Sequence, residues 1–179
     1  MFELARTQSG YAYSIVHDFL PIQNTPSTVL YRDTSGALYG AAAFTLFQFV
    51  PPSGSGTKWT EHELYAFKGG ISGTQPGSAL VADAHGDLFG STVPSGIEGF
   101  GTVFELKPPG PTNVHWDATT LAKFTGGLSS VQPFGGVVFG SHGMLYGAVS
   151  ELGGGGQPGF IYSLAATQSK AGPAPTTRF

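Results

Sequence analysis

Short apolar segments with a period of two recur along the chain, and turns rich in glycine, proline and aspartate separate them. Three such segments are Leu46–Phe49, Val103–Leu106 and Ile161–Leu164. Side chains that alternate in this way predict β-strands. No window of the sequence sustains an apolar period of 3.6 residues, so the pattern predicts an all-β fold with almost no helix.

One sequence element occurs three times with constant internal spacing. In each copy a proline is followed ten residues later by Gly-x-Leu-aromatic-Gly, and the copies span residues 26–40, 76–90 and 133–147. Successive copies therefore begin 50 residues apart (26 to 76) and 57 residues apart (76 to 133). A repeat of roughly 40–50 residues with strand-like content is typical of the blades of a β-propeller.

Each copy is interpreted as four consecutive strands, A to D. Strand A follows the proline, near residues 27–32, 78–83 and 136–140. A turn of Asp, Ser and Gly leads to strand B, which starts at the Leu-aromatic-Gly run. Strand C is the alternating segment above, and strand D covers 64–67 and 121–124. We therefore predict a β-propeller with about three four-stranded blades per chain.

The repeats predict that residues 1–170 form half of a propeller and that residues 171–179 form a flexible tail. The expected parts are an incomplete blade, two full repeats and a partial repeat, at residues 1–20, 26–70, 76–127 and 133–165. Three blades cannot close a ring, because propellers have typically 4–8 blades. We expect a homodimer with six blades, in which Ile161–Ala165 of one chain completes a blade with Ser14–Leu20 of the other. The alternative is that the chain is part of a longer ring.

A specific resemblance supports this architecture. The segments Gly101–Leu106 (Gly-Thr-Val-Phe-Glu-Leu), Phe124–Gly127 (Phe-Thr-Gly-Gly) and Gly143–Gly147 (Gly-Met-Leu-Tyr-Gly) resemble the Gloeo–Verruco tandem repeat. The proline-to-glycine element is also similar to the inner half of NHL-type repeats, within the NHL/kelch-like propellers. The resemblance implies a β-propeller without a defined activity, in bacterial proteins that are secreted or lie at the cell surface.

Composition narrows the classes of function. The 179 residues carry a formal net charge of −3, and only 11% of them are charged. Basic residues form no cluster, so we expect no nucleic-acid partner. The absence of cysteine excludes disulfides and thiolate metal sites. The sequence shows neither a signal peptide nor an apolar run of membrane-spanning length, so we expect no membrane partner, and the compartment stays open.

The candidate site residues are oxygen donors in loops expected at one rim. Glu98 and Glu151 fall in equivalent loops between strands B and C, and carboxylates suit Ca²⁺. Asn24, Gln75 and Gln132 could complete a ligand site there. The alternative is that these carboxylates are solvated loop residues.

Two histidines occupy the same turn of neighbouring repeats. His142, with His85 in the preceding repeat, is a candidate general base or metal ligand. The alternative is a polar turn residue. The candidate catalytic residues are thus Glu98, Glu151 and His142.

Two functions follow from these residues. The first is a binding or scaffold propeller that recognises a glycan, a small molecule or a protein through its loop face, and it is favoured because no nucleophile motif occurs. The alternative is a Ca²⁺-dependent hydrolase, similar to lactonases and esterases, that acts at the mouth of the central channel.

Overall fold

The computed structural model describes residues 1–18, 26–68, 75–93, 101–111, 113–124, 130–133, 135–152, 159–166 and 176–178. The prediction of an all-β fold is confirmed, because these residues form strands and a single short 3-10 turn at Ser141–Gly143. No helix in this part of the chain is long and apolar enough to cross a membrane.

The strands of the first half are short and follow one another closely. They are β1 (Phe2–Thr7), β2 (Gly10–Ile15), β3 (Tyr31–Arg32), β4 (Leu38–Ala42), β5 (Thr45–Val50), β6 (Thr60–Ala66), β7 (Gln75–Pro76) and β8 (Val81–Ala82).

The second half continues the same pattern. Its strands are β9 (Leu88–Val93), β10 (Thr102–Lys107), β11 (Asp117–Lys123), β12 (Ser130–Gln132), β13 (Val137–Phe139), β14 (Met144–Leu152), β15 (Phe160–Ala165) and β16 (Thr176–Arg178).

Each repeat forms one antiparallel sheet with its strands in sequence order. Sheet I has the order β3-β4-β5-β6. In sheet II, β7 and β8 both pair with β9, which is followed by β10 and β11. In sheet III, β12 and β13 both pair with β14, which is followed by β15 and β16. The order within each sheet is the A-B-C-D order expected from the sequence, and β1 and β2 form a separate hairpin.

Strand A is interrupted in each sheet, where the sequence predicted one continuous strand. In sheet II it consists of β7 and β8, and residues 78–80 between them leave the ladder after a backbone hydrogen bond from the Gly77 N–H to the Ser91 carbonyl at 3.0 Å. The Ser78 hydroxyl accepts a hydrogen bond from the Ser91 N–H at 3.1 Å, and the Thr28 hydroxyl accepts one from the Ala41 N–H at 2.9 Å in sheet I. A side chain thus replaces a backbone acceptor, which allows the strand to break without an unpaired donor.

The repeated glycine of strand B lies opposite the aromatic residue of strand C. The pairs are Gly40↔Phe47, Gly90↔Phe104 and Gly147↔Tyr162. A Cβ atom on Gly90 would lie 2.9 Å from Phe104 Cζ and 3.0 Å from Leu80 Cδ2, and one on Gly147 would overlap the Tyr162 ring. At Gly90 and Gly147 the glycine is therefore needed because the ring lies across its strand, whereas a Cβ atom on Gly40 would meet Leu30 Cδ2 at 2.7 Å.

These rings join each sheet to the preceding one. Phe104 of sheet II meets Phe67 of sheet I edge-on at 5.0 Å between ring centroids, and Tyr162 of sheet III meets Phe124 of sheet II at 5.1 Å. Aromatic pairs favour this geometry. Around the pairs lie two buried clusters, one containing Leu46, Leu64, Leu80, Leu88 and Leu106, the other containing Phe89, Val103, Leu121, Val137, Leu145 and Leu164. The three sheets therefore form a stack with two hydrophobic interfaces.

The two ends of the chain differ from the sequence-based expectation. The second strand near the N-terminus was expected at Ser14–Leu20, but β2 ends at Ile15. Pairing starts at Thr7↔Gly10, and this tight turn fixes the register of the hairpin. In the segment expected as a flexible tail, β16 pairs with β15 at Ile161↔Arg178 and occupies the position of strand D in sheet III.

We predict that Gly90→Ala lowers the free energy of unfolding by about 1–3 kcal/mol, because the added methyl group overpacks the interface between sheets I and II. Gly110→Ala is the matched control, since a Cβ atom there would meet nothing within 4 Å. Urea denaturation measures both variants, and equal stabilities would contradict the packing described for Gly90.

Candidate functional site

Asp33 organises the turn between strands A and B of sheet I. One of its carboxylate oxygens, Oδ1, accepts hydrogen bonds from the Ser35 N–H at 2.9 Å, the Ser35 hydroxyl at 2.7 Å and the Ala37 N–H at 2.9 Å. The other oxygen accepts one from the Tyr39 hydroxyl at 3.1 Å, which in turn accepts one from Gln48 Nε2 at 2.7 Å. This network fixes the turn and links it to strand C.

The same hydrogen bonds change the acidity of Asp33. Burial alone would raise the pKa of this carboxyl, but the bonds from the Ser35 hydroxyl, Ala37, Tyr39 and the Ser35 N–H outweigh it and lower the pKa below its ordinary value. Asp33 is therefore a turn-capping carboxylate.

Asp83 caps the equivalent turn of sheet II. Its Oδ1 accepts hydrogen bonds from the His85 N–H at 2.8 Å and the Asp87 N–H at 3.0 Å, and its Oδ2 lies 3.2 Å from His85 Nδ1. Burial would raise the pKa of Asp83, but these bonds lower it overall. The His85 side chain is exposed and pairs with Asp83, as in the alternative interpretation of His85 as a polar turn residue.

A buried carboxylate next to this turn was not singled out from the sequence. Glu105 in β10 is buried, and Lys107 Nζ lies 3.5 Å from its Oε1 and 3.4 Å from Asp87 Oδ2. Burial raises the pKa of Glu105, and the charge of Lys107 opposes that rise. A comparison of the repeats could have identified it, because Glu105 is a charged residue at a position of strand C where the other repeats have the uncharged Gln48 and Ser163.

Glu105 and its partners form an electrostatic link between strands. Lys107 bridges Glu105 and Asp87, at the end of β10 and the start of β9. The two carboxylates raise the pKa of Lys107 above its ordinary value, although burial alone would lower it. The arrangement keeps Lys107 protonated and holds the turn against strand C.

His142 lies in the turn between strands A and B of sheet III, and its side chain is exposed. Its backbone φ of 59° is in the left-handed region, in which histidine is enriched among non-glycine residues. Glu151 lies near the far end of β14, which begins two residues after His142. At about 3.3 Å per residue of strand, these two candidates are roughly 25–30 Å apart. The structure therefore does not bring them into one site.

The other rim contains three of the predicted site positions. Gln75 pairs with Val93 at the end of β9. Gln132 pairs with Ser150 at the end of β14, and its neighbour Val131 pairs with Glu151. Glu151 thus belongs to a strand, where the sequence predicted a loop, and its backbone is one ladder step from Gln132.

The remaining candidates lie outside the described residues. These are Asn24 and Glu98, and the side chains of Gln132 and Glu151 are also undescribed. Within the described part of the chain, no group of three His, Cys, Asp or Glu residues is placed to hold a metal ion. The Ca²⁺ site predicted from Glu98 and Glu151 therefore stays a prediction.

An apolar cavity lies between the N-terminal hairpin and sheet I. Its volume is about 240 Å³, and its walls include Met1 and Phe2 on the hairpin side and Leu30, Phe47 and Phe49 on the side of sheet I. Polar groups contribute little to this surface, so the cavity suits an apolar group rather than a sugar or an ion.

Two sheet faces with large apolar side chains are exposed at opposite ends of the stack. One is the outer face of sheet III, which we call the sheet III face and define by Val138, Tyr146 and Ile161. The other is one face of the β1–β2 hairpin, which we call the hairpin face and define by Phe2, Leu4, Tyr11, Tyr13 and Ile15. Exposed apolar surface is a common feature of interaction sites.

No protein-family model matches the sequence, and no curated protein or solved structure matches the chain. The resemblance to the Gloeo–Verruco repeat therefore stays a prediction, and the candidate sites rest on the residues themselves.

We predict that Asp33→Ala lowers the free energy of unfolding by about 1–2 kcal/mol at pH 7, because the turn loses its charge-assisted hydrogen bonds. A carboxyl whose pKa is lowered by folding stabilises the native state above the unfolded pKa of about 3.9, and this contribution is lost as the pH falls through the folded pKa. The difference between wild type and variant should therefore shrink below about pH 4.

Chemical denaturation at a series of pH values measures this effect. Thr34→Ala is the control, because it changes an exposed residue of the same turn. A difference that is the same at pH 3 and pH 7 would show that the ionised carboxylate does not stabilise the turn.

Proposed function

We propose that the chain is a binding and scaffold module, half of a β-propeller, and that two copies complete a ring of six four-stranded sheets. The ring would recognise a glycan, a small molecule or a protein through the loops at the ends of its strands. Repeated sheets that present equivalent loops at one rim are a common basis for recognition.

The observation that carries this proposal is the stack of the hairpin and three sheets, in which the hairpin face and the sheet III face are exposed at the two ends. Equivalent faces inside the stack are buried in the two clusters between sheets I and II and between sheets II and III. A closed ring buries every sheet face, and a stack of three cannot do so alone. Two chains related by a two-fold axis supply the remaining contacts without leaving an open end.

The capped turns support the recognition role. Asp33 and Asp83 hold equivalent turns in the same way, with backbone N–H groups bound to one carboxylate oxygen. Preorganised turns lose little conformational entropy on binding, which favours affinity. Exposed side chains at these turns, such as His85, are then available for contacts with a ligand.

Light scattering coupled to gel filtration tests the assembly. The proposal predicts a mass of twice 18.5 kDa. A species with the mass of one chain that unfolds cooperatively would contradict the ring.

Hydrolase activity is the competing prediction, and it can be separated from binding. For a binding module we expect no turnover of a generic lactone or of phenyl acetate above the buffer rate, with or without a chelator. We also expect Ca²⁺ to leave the melting temperature unchanged. Chelator-sensitive turnover that disappears when Glu98→Gln and Glu151→Gln are combined would instead favour the Ca²⁺-dependent lactonase.

A further inference from the structure

The β1–β2 hairpin is strongly amphipathic, with one apolar face and one face of small or polar residues. Residues directly opposite each other in an antiparallel pair point to the same side of the sheet. The register pairs Phe2 with Ile15, Leu4 with Tyr13, and Arg6 with Tyr11, so all five large apolar side chains of the hairpin lie on one face. The other face carries small or polar residues, namely Glu3, Ala5, Ala12 and Ser14. Such a face requires a covering surface.

The hairpin repeats the sequence of a strand whose equivalent face is buried. Phe2-Glu-Leu4 matches Phe104-Glu-Leu106 of β10. Phe104 is 1% exposed and packs with Leu106 into the cluster shared with sheet I, whereas Phe2 is 61% exposed. The hairpin face is therefore equivalent to the face by which strand C packs against the preceding sheet.

The sheet III face is the complementary half of the same type of interface. Tyr146 occupies the position of Phe89 in the repeat, and Ile161 the position of Val103. Phe89 and Val103 are 1% and 0% exposed because sheet III covers them, while Tyr146 and Ile161 are 39% and 63% exposed. The sheet III face is thus equivalent to the face of sheet II on which strand C of the next sheet packs. Within one chain, none of the described residues covers the sheet III face.

The position of the hairpin excludes contact with sheet III of the same stack. Met1 packs with Phe47 and Phe49 on the outer side of sheet I. His17 Nε2, just after the hairpin, lies 2.8 Å from Glu61 Oε2 of β6, which fastens the base of the hairpin to sheet I. The hairpin face and the sheet III face are therefore at opposite ends of the three-sheet stack.

We infer that the hairpin face of one chain packs on the sheet III face of a second copy of this chain, and that the two-fold axis repeats this contact. This inference rests on the proposed ring and names the surfaces that close it, with each hairpin as a further layer between sheet I of its own chain and sheet III of the second copy. It also differs from the contact expected from the sequence, in which a strand of one chain pairs with the edge of a sheet in the other, because here two sheet faces pack on each other. The edge of β15 at Ile161–Ser163 is already paired with β16 of its own chain, so it cannot accept Ser14–Leu20 of a partner.

Two single variants and their mixture test the contact. Leu4→Asp impairs the hairpin face, and Ile161→Asp impairs the sheet III face. Both side chains are exposed in the single chain, so we expect each variant to keep the fold and its circular-dichroism spectrum. We expect the dissociation constant of each to rise at least about a hundredfold, because a charge is buried in an apolar contact.

The mixture is the decisive arm of this experiment. A dimer of either variant has two impaired contacts, but a mixed dimer has one contact in which both faces are wild type. Mixing the variants in equal amounts should therefore restore a species of twice the chain mass in sedimentation velocity. Val114→Asp is the matched control, since this exposed residue lies on neither face, and its mass should equal that of the wild type.

The possible failures are distinguishable. A wild-type chain that is monomeric would overturn both the ring and the docking contact. A dimeric wild type whose Leu4→Asp and Ile161→Asp variants stay dimeric would overturn the docking contact and leave the ring standing. Variants that dissociate alone and do not associate when mixed would also overturn it. If either aspartate variant unfolds, Leu4→Ser and Ile161→Ser provide the same comparison.

Discussion

The close approach of an aromatic ring to a glycine is the constraint on which the stack of sheets depends. In sheets II and III the ring of strand C lies across the glycine of strand B, Phe104 over Gly90 and Tyr162 over Gly147. Because no Cβ stands in the way, the ring lies flat enough to reach Phe67 or Phe124 of the preceding sheet. One interaction therefore sets the register within a sheet and the contact between sheets.

The repetition of this interaction explains why the chain leaves apolar surface uncovered. Every sheet contributes an aromatic face to the sheet before it and receives one from the sheet after it. Two such contacts are buried within the stack, between sheets I and II and between sheets II and III. The hairpin face has no preceding sheet to pack on, and the sheet III face has no following sheet, so both are exposed. Polar chemistry is confined to the strand ends, where Asp33 and Asp83 cap turns and Lys107 neutralises buried Glu105.

The sequence predicts the parts of the fold that repeat. Constant spacing from proline to glycine indicated the strand order, and period-two segments located strands C and D, because both signals are local. Two features depend on contacts that no local pattern contains. Strand A breaks because Thr28 and Ser78 take over backbone hydrogen bonds, and β16 forms because an open edge of β15 is available.

The candidate site was predicted in part. The sequence assigned His142 to the turn between strands A and B and Glu151 to the loop between strands B and C, which lie at opposite rims, and the extended β14 separates them in this way. Glu105 was not identified, since one glutamate in an alternating strand resembles a solvated residue, and its burial depends on tertiary packing.

Hydroxyl-radical footprinting of tyrosines at different protein concentrations measures whether the end faces are covered in solution. Tyr39 and Tyr146 occupy the same position of the repeat, but only Tyr39 is buried within one chain. If a second copy covers these faces, Tyr146 and Tyr13 are as protected as Tyr39 at high concentration and become reactive on dilution. Modification of Tyr146 and Tyr13 at one high rate at every concentration would contradict such coverage.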